Sequence, residues 1–255
     1  MTARSHEKCV YLYLGLVDYS EAWKLQHRLL QSLQRGAVPH VLLLLQHPHT
    51  ITLGKSGRKQ HLLADPEQMA KEQVTFVVTD RGGDVTYHGP GQLIGYPLLD
   101  LSRLKEDIGW YLRRLEEVLI RTLADFGISA ERKRGYTGVW VGEEKVAAMG
   151  IKIQRWTTMH GFALNISTDL RYFRWIVPCG IHDKGVCSIE TLLRRKVSVE
   201  EVLPHVVEHF GGVFSLKMLP YNHFSWPELT EALQPVLGSL PETSPRGRAA
   251  ASTPL

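Results

Sequence analysis

The sequence predicts an α+β fold, with a mixed, largely antiparallel β-sheet flanked by helices. Three observations carry this. Strand-like runs follow one another closely, so that near neighbours can pair. Helical segments are interspersed among them without the strict alternation of a βαβ chain. The composition, 44% hydrophobic and 22% charged over 255 residues, is that of a globular chain long enough to bury a substantial core. Residues 1–237 read as a single domain, and the Pro-, Ser-, Ala- and Arg-rich stretch 238–255 reads as a disordered tail.

In order, Val10 to Val17 is rich in β-formers, with Val10, Leu12, Leu14 and Leu16 on one parity. A helix opens at Ser20-Glu-Ala-Trp, repeats Ala22, Leu25, Leu29 and Leu33 at helical spacing, and ends at Gly36. The continuous apolar run Val41 to Gln46 predicts a buried strand, followed by a second from Thr50 to Leu53. Asp65-Pro66 is a cap and first-turn pair for a short helix to about Glu72. Val74 to Thr79 and Leu93 to Leu99 are strands joined by a glycine-rich connection. The longest helix spans Asp107 to Phe126, with Ile108, Leu112, Leu115, Leu119, Leu123 and Phe126 as its expected buried stripe. Gly138 to Val141 and Lys145 to Ile153 flank the tight turn Gly142-Glu143-Glu144 as a hairpin. His160 to Ser167 is a further strand, and Tyr172 to Gly185 is aperiodic. Ser198-x-x-Glu201 opens a helix to about Phe210. A strand near Val213 to Leu219 and a helix after Ser225-Trp-Pro-Glu complete the order.

The net charge of +4 and pI near 8.9 are too mild and too scattered to point to nucleic acid. The three cysteines, Cys9, Cys179 and Cys187, form no CxxC pair, which argues for a reducing compartment. The longest apolar run is far too short to cross a membrane. The N-terminal M-T-A-R-S-H-E-K lacks the apolar region of a signal peptide. The expectation is a cytoplasmic protein, or one of the mitochondrial matrix or plastid had a transit peptide been removed.

Arg81 to Gln92 (R-G-G-D-V-T-Y-H-G-P-G-Q) packs four glycines, a proline, a cation, a carboxylate and His88 into twelve residues. Glycine permits close approach of a ligand to the backbone, so this connection is expected to form one wall of a pocket. Gly54 to Gln60 (G-K-S-G-R-K-Q) lacks the residue order of a P-loop and reads as a basic surface loop. His47-Pro-His49 marks a turn more readily than a metal site, and no metal is expected.

Cys179, in the turn Pro178-Cys179-Gly180, is the leading nucleophile candidate, although a free cysteine is more often a small buried hydrophobe. A thiol with a pKa of roughly 8.5 is mostly protonated at neutral pH and needs help. Lys145, followed by Val146-Ala147-Ala148-Met149, could give it if partly desolvated. The alternative is a solvent-facing hairpin lysine after two glutamates. His88, His160 and His182 could each enter a site, His88 as base or oxyanion donor.

Together, R-G-G-D-V-T-Y-H-G-P-G-Q-L, K-V-A-A-M-G-I-K-I, H-G-F-A-L-N-I-S-T-D-L and V-P-C-G-I resemble the lipoyl(octanoyl) transferase family, in its order and spacing, over roughly Val10 to Leu219. The resemblance implies the fold of lipoate and biotin protein ligase catalytic domains. It also implies transfer of octanoyl from octanoyl-acyl carrier protein to a lysine of lipoyl domains, those of 2-oxoacid dehydrogenase complexes and the glycine cleavage H protein. Cys179 would carry the acyl group and Lys145 would tune it and move protons. Arg81, Gly82, Gly83, Asp84, Val85, Thr86, Tyr87 and His88 would line the acyl pocket. Ala148, Met149 and Gly150 would do so too, with Gly161, Phe162 and Ala163. Ala148 departs from the family, since many relatives carry a hydroxyl residue there. Two consecutive acyl transfers predict ping-pong kinetics, with no cofactor, because a thioester is already activated. The mild basic balance would favour encounter with acidic partners. The rivals are an ATP-dependent lipoate– or biotin–protein ligase, which needs no nucleophilic cysteine, and a non-catalytic module that binds acylated protein.

Overall fold

A computed structural model describes residues 7–177, 184–222 and 227–238. Its strands are β1 (Lys8–Leu16), β2 (His40–Gln46), β3 (Thr50–Leu53), β4 (Thr75–Val78), β5 (Val85–His88), β6 (Gln92–Leu98), β7 (Glu131–Lys133), β8 (Tyr136–Val141), β9 (Glu144–Gln154), β10 (Thr157–Asn165), β11 (Gly185–Val186) and β12 (Lys217–Pro220). The helices are α1 (Tyr19–Gln34), α2 (Pro66–Lys71), α3 (Ile108–Asp125), α4 (Ile189–Leu193), α5 (Val199–Phe214) and α6 (Pro227–Leu237). The large sheet has the order β12-β1-β2-β6-β10-β9-β8-β7, with β11 beside β9; a second sheet has the order β4-β3-β5. Pairing is antiparallel from β2 through β7 and parallel at β12-β1-β2. The fold is therefore the mixed α+β arrangement expected.

Strand β2 shows why its sequence is apolar throughout. Leu42 and Leu44 join the core under α3 and α5, while Val41, Leu43 and Leu45 join the core under α1 and α6. A strand covered on both faces buries every side chain and loses the alternation of a half-exposed one. Strands β3 and β5 form a smaller core with the 3₁₀ segment Leu170–Trp175.

Several boundaries differ from expectation, each for a local reason. Leu16 is 51% exposed rather than buried. Gly15 takes φ +69°, the register with β2 shifts after Tyr13, and this bulge turns the parity of the strand. Helix α1 is capped by Asp18, whose Oδ1 accepts from the N–H of Ser20 and Glu21, so it begins before Ser20. On α3, Leu115, Leu119 and Leu123 are buried as expected, but Ile108 is 48% exposed, and Tyr111 and Val118 join the buried face. Helix α5 continues through Gly211 and Gly212 to Phe214, shortening the last strand to Lys217–Pro220. Its apolar side, from Val199 to Phe214, packs into the core with α3, and that burial outweighs the weak propensity of two glycines. Val85–His88 is a strand in its own right, where a connection was expected. The expected tail and the turn holding Cys179 lie outside the described residues, as does His182.

Candidate active site

The pocket forms where the β9–β10 part of the large sheet meets β5 of the small one. The empty space there, counting the open mouth, is about 460 Å³. Strand alternation decides which motif residues reach it. Thr86 and His88 of β5 line it, whereas Val85 and Tyr87 point into the small core. Tyr87 donates its hydroxyl towards His49 Nδ1 at 2.7 Å and stacks on Tyr172 at 5.0 Å. The expectation that the whole run Arg81 to His88 forms the wall is therefore corrected. Val85 and Tyr87 hold the strand in place from behind, and Gly82 sits off the lining, its N–H bonded to Ile151 O at 2.8 Å. Arg81, Gly83 and Asp84 line the pocket, as do Ala148, Met149, Gly150, Gly161, Phe162 and Ala163. At Gly161 a Cβ would lie 2.2 Å from Gly95 O, so only glycine lets β10 approach β6 there.

Arg81 reaches the pocket but spends its donors on the scaffold. Its Nη2 donates to Thr52 O at 2.8 Å, Thr52 Oγ1 at 2.8 Å and Asp84 O at 2.7 Å, and its Nη1 to Gly82 O at 3.0 Å. The guanidinium thus braces the glycine turn. Thr52 Oγ1 accepts from Arg81, which leaves its own proton directed at His88 Nε2, 3.5 Å away. His88 Nδ1–H donates to Gln92 Oε1 at 2.8 Å, and Gln92 Nε2 donates to Tyr87 O at 3.2 Å and Asn165 Oδ1 at 2.9 Å. Asn165 Nδ2 in turn donates to Cys187 O at 3.0 Å. Every orientation in this chain is set by its neighbours. His88 is fully buried, and burial holds its imidazole well below the usual histidine range, so it is neutral at pH 7. Its pocket-side nitrogen is an acceptor, which fits the base the sequence offered for His88 and not the oxyanion donor.

Asn165 and Gln92 lead to a second, smaller space lined also by Thr86, Lys145, Ala148, Ala163, Phe173 and Val186. Thr86, Ala148 and Ala163 line both spaces, so the two adjoin. Lys145 is 7% exposed, and its Nζ lies 4.8 Å from the centre of the Trp140 ring. The solvent-facing alternative for this lysine is thereby removed. Cys9 and Cys187 are buried among apolar side chains, and burial pushes both thiols up, Cys187 to about 12. Neither is a nucleophile at neutral pH.

At the other end of the pocket stand Tyr19, Tyr96 and His160. His160 takes the left-handed conformation at φ +57°, a strain sustained only where surrounding contacts fix it. Asp80 supplies them. Its carboxylate lies 2.7 Å from His160 Nε2 and 2.6 Å from Lys152 Nζ, and accepts from Trp23 Nε1 at 3.1 Å. These bonds hold the Asp80 carboxyl far below its ordinary range despite partial burial. His47 is not a metal ligand beside His49; it bonds Val17 O at 2.6 Å and Tyr96 Oη at 2.8 Å, while His49 turns to Tyr87. Among the described residues no group of three potential ligands converges.

The model of the lipoyl protein ligase A/B catalytic domain matches residues 18–211. This chain belongs to that family. A protein of Solibacter usitatus called octanoyltransferase is 50% identical over 212 residues, covering 83% of this chain and 96% of the relative. The octanoyltransferase of Gloeobacter violaceus is 48% identical over 214 residues, with 84% and 93% covered. In fold, the chain resembles lipoate-protein ligase A bound with ATP (TM-score 0.72, 15% identity, 92% and 95% covered). It also resembles the bi-partite lipoate protein ligase of Thermoplasma acidophilum (TM-score 0.69, 16% identity, 92% and 93% covered).

Within this lipoyl protein ligase A/B catalytic domain, local sequence signals missed part of the pocket. Tyr19 and Tyr96 sit in an apolar helix start and an apolar strand, where an aromatic reads as core. Thr52 looked like an ordinary strand residue. Asn165 stood inside H-G-F-A-L-N, and period-two alternation from Ala163 places it on the same face as the pocket lining.

Proposed function

We propose that the chain transfers an octanoyl group from octanoyl-acyl carrier protein to the ε-amine of a lysine on a lipoyl domain, by way of a thioester on Cys179. In the first step the Cys179 thiol loses its proton to Lys145 Nζ and its sulfur attacks the carrier thioester carbonyl. The C–S bond to the carrier then breaks, and the carrier thiolate takes the proton back from Lys145. In the second step the acceptor attacks the Cys179 thioester as the neutral amine, and Lys145 Nζ takes the proton that its nitrogen then loses. An amide forms and the proton passes to the departing cysteine thiolate. Two simple substitutions at one carbonyl replace one difficult encounter of three groups. Breaking a thioester to make an amide is downhill, so no ATP enters.

The observation that carries this reading is the junction of the two spaces. A pocket walled by Thr86, Ala148, Met149 and Phe162 adjoins the space lined by buried Lys145. The chain leaves the described residues at Val177, whose N–H bonds His61 O, and on its return Val186 pairs with Lys145. Relatives 45–50% identical are called octanoyltransferases, which supports the acyl group named. Intact mass spectrometry after incubation with octanoyl-acyl carrier protein tests the thioester: one octanoyl adduct is expected, absent in Cys179→Ala. Undiminished turnover in that variant would refute the nucleophile. The fold of an ATP-bound ligase motivates one rival, and transfer that strictly requires ATP would favour it.

A further inference from the structure

The basic segment between Gly54 and Ala64 has no role in the chemistry above, yet the structure fastens it to the mouth of the pocket. Its backbone N–H groups at Gly54, Lys55 and Ser56 donate to the carbonyls of Asp84, Arg81 and Gly83. Asp84 returns the grip through its carboxylate, which accepts from Arg58 N at 3.1 Å and pairs with His61 Nδ1 at 2.5 Å. Downstream, His61 O accepts from Val177 N at 2.8 Å, and Trp175 O accepts from Leu63 N at 2.8 Å. The segment therefore ties the glycine wall to the stretch that follows the 3₁₀ segment Leu170–Trp175.

What it shows to solvent is of one kind. Lys55, Arg58 and Lys59 are exposed, and no carboxylate pairs with them among the described residues. No acidic residue occurs from Gly54 to Ala64, and the nearest acids are engaged: Asp65 caps α2, and Asp84 holds the segment itself. Further along the same segment Leu63 is an apolar side chain 59% exposed although its backbone is fixed. A backbone-bonded segment that shows cations and an exposed leucine to solvent matches an acidic protein surface with an apolar contact.

We propose that this rim segment is the docking surface for the acyl donor, the acidic carrier protein. The donor is preferred over the acceptor because of its charge. A carrier brings its thioester on a phosphopantetheine arm, so a phosphodiester accompanies the acyl group to the mouth, where cations would meet it. An acceptor lysine arrives without such an anion. The inference rests on the acyl-transfer reading of the same site.

The test compares the wild type with Lys55→Glu/Arg58→Glu/Lys59→Glu and with the milder triple change to Gln. Three quantities are measured: kcat/KM for octanoyl-acyl carrier protein, for the octanoyl thioester of N-acetylcysteamine, and for a lipoyl domain. Charge reversal is expected to lower the carrier value by about 10-fold or more at low salt, with the Gln variant in between and the gap closing as salt rises. The small thioester and the lipoyl domain should be used as before, and unchanged use of the small thioester shows that the variant is folded. An unaltered carrier value overturns the proposal, and so does a loss falling on the lipoyl domain instead. A wild type that uses neither octanoyl donor defeats the acyl-transfer reading itself, a distinct outcome.

Discussion

Replacing Gln92 by Leu tests the buried chain from Arg81 to Cys187 at its centre. Gln92 is 1% exposed and makes three hydrogen bonds, to His88, Asn165 and Tyr87 O. Leucine fills much of the same volume, so the cost is chiefly polar. His88 Nδ1–H and Asn165 Oδ1 lose their partners inside the protein, at about 1–3 kcal/mol for each orphaned group. His88 can move the proton to Nε2, but Thr52 Oγ1 already accepts from Arg81 Nε and Nη2 and has no lone pair left for it. That exchange leaves Nδ1 unpaired and presents the pocket with a donor in place of an acceptor. The expected loss is therefore about 3 kcal/mol, read as a lower urea midpoint at unchanged slope. Adding Asn165→Leu should cost less than the two single losses together, with a coupling of about 1 kcal/mol or more, since both act on one bond. A loss below about 1 kcal/mol in the single variant, or strict additivity in the pair, would show that the chain is not the coupled unit described.

Three further outcomes are expected. Gly161→Ala places a Cβ 2.2 Å from Gly95 O and 2.6 Å from Pro97 Cδ. Because backbone has to move, it should cost about 1–3 kcal/mol or more, and a variant as stable as wild type would refute the close approach. His40 and His47 are held down to about 4 by burial, so the unfolded chain takes up protons that the folded one refuses as pH falls below about 6.5. Their contribution is complete above that value and should fall by about 2 kcal/mol each by about pH 5, seen as declining urea midpoints; a flat profile over this range is the contrary result. Lys145→Met should slow both octanoyl transfer and iodoacetamide alkylation of Cys179 at neutral pH by about 10-fold or more, the range of a lost proton-transfer group. Alkylation at the wild-type rate would leave Lys145 no part in activating the thiol.

Much of the fold was legible because periodicity speaks directly to burial. The stripe Ala22, Leu25, Leu29 and Leu33 is the buried face of α1, and Asp65-Pro66 starts α2 as a cap and first turn. The apolar run of β2 announced a strand covered on both sides. Where reading failed, the deciding force was not local. Nothing in Gly15 alone says whether it bulges, and at α3 packing against α5 and the sheet added Tyr111 and Val118 to the expected Leu115, Leu119 and Leu123 and left Ile108 outside. The motifs located the site because their glycines and Lys145 are unusual in composition. They could not show which motif residues face inward, since that depends on which sheet each joins.

That last point alters how the glycine-rich stretch works. Its eight residues from Arg81 to His88 look like one binding element in sequence, but three tasks divide them. Arg81 and Gly82 lock the turn to β3 and β9, by way of Thr52 and Ile151. Val85 and Tyr87 root β5 in a core that no ligand touches. Thr86 and His88 alone among the β5 residues face the pocket. His88 is fixed there as a neutral acceptor by Gln92, four residues later on the next strand. The wall is therefore rigid because it is bonded behind, at the turn and through the buried chain to Asn165. A rigid wall is what a pocket needs if it is to hold a flexible ligand in one place. The shape of the pocket and that of the adjoining space thus depend on the same buried hydrogen bonds, which run from the turn at Arg81 to the space that Lys145 lines.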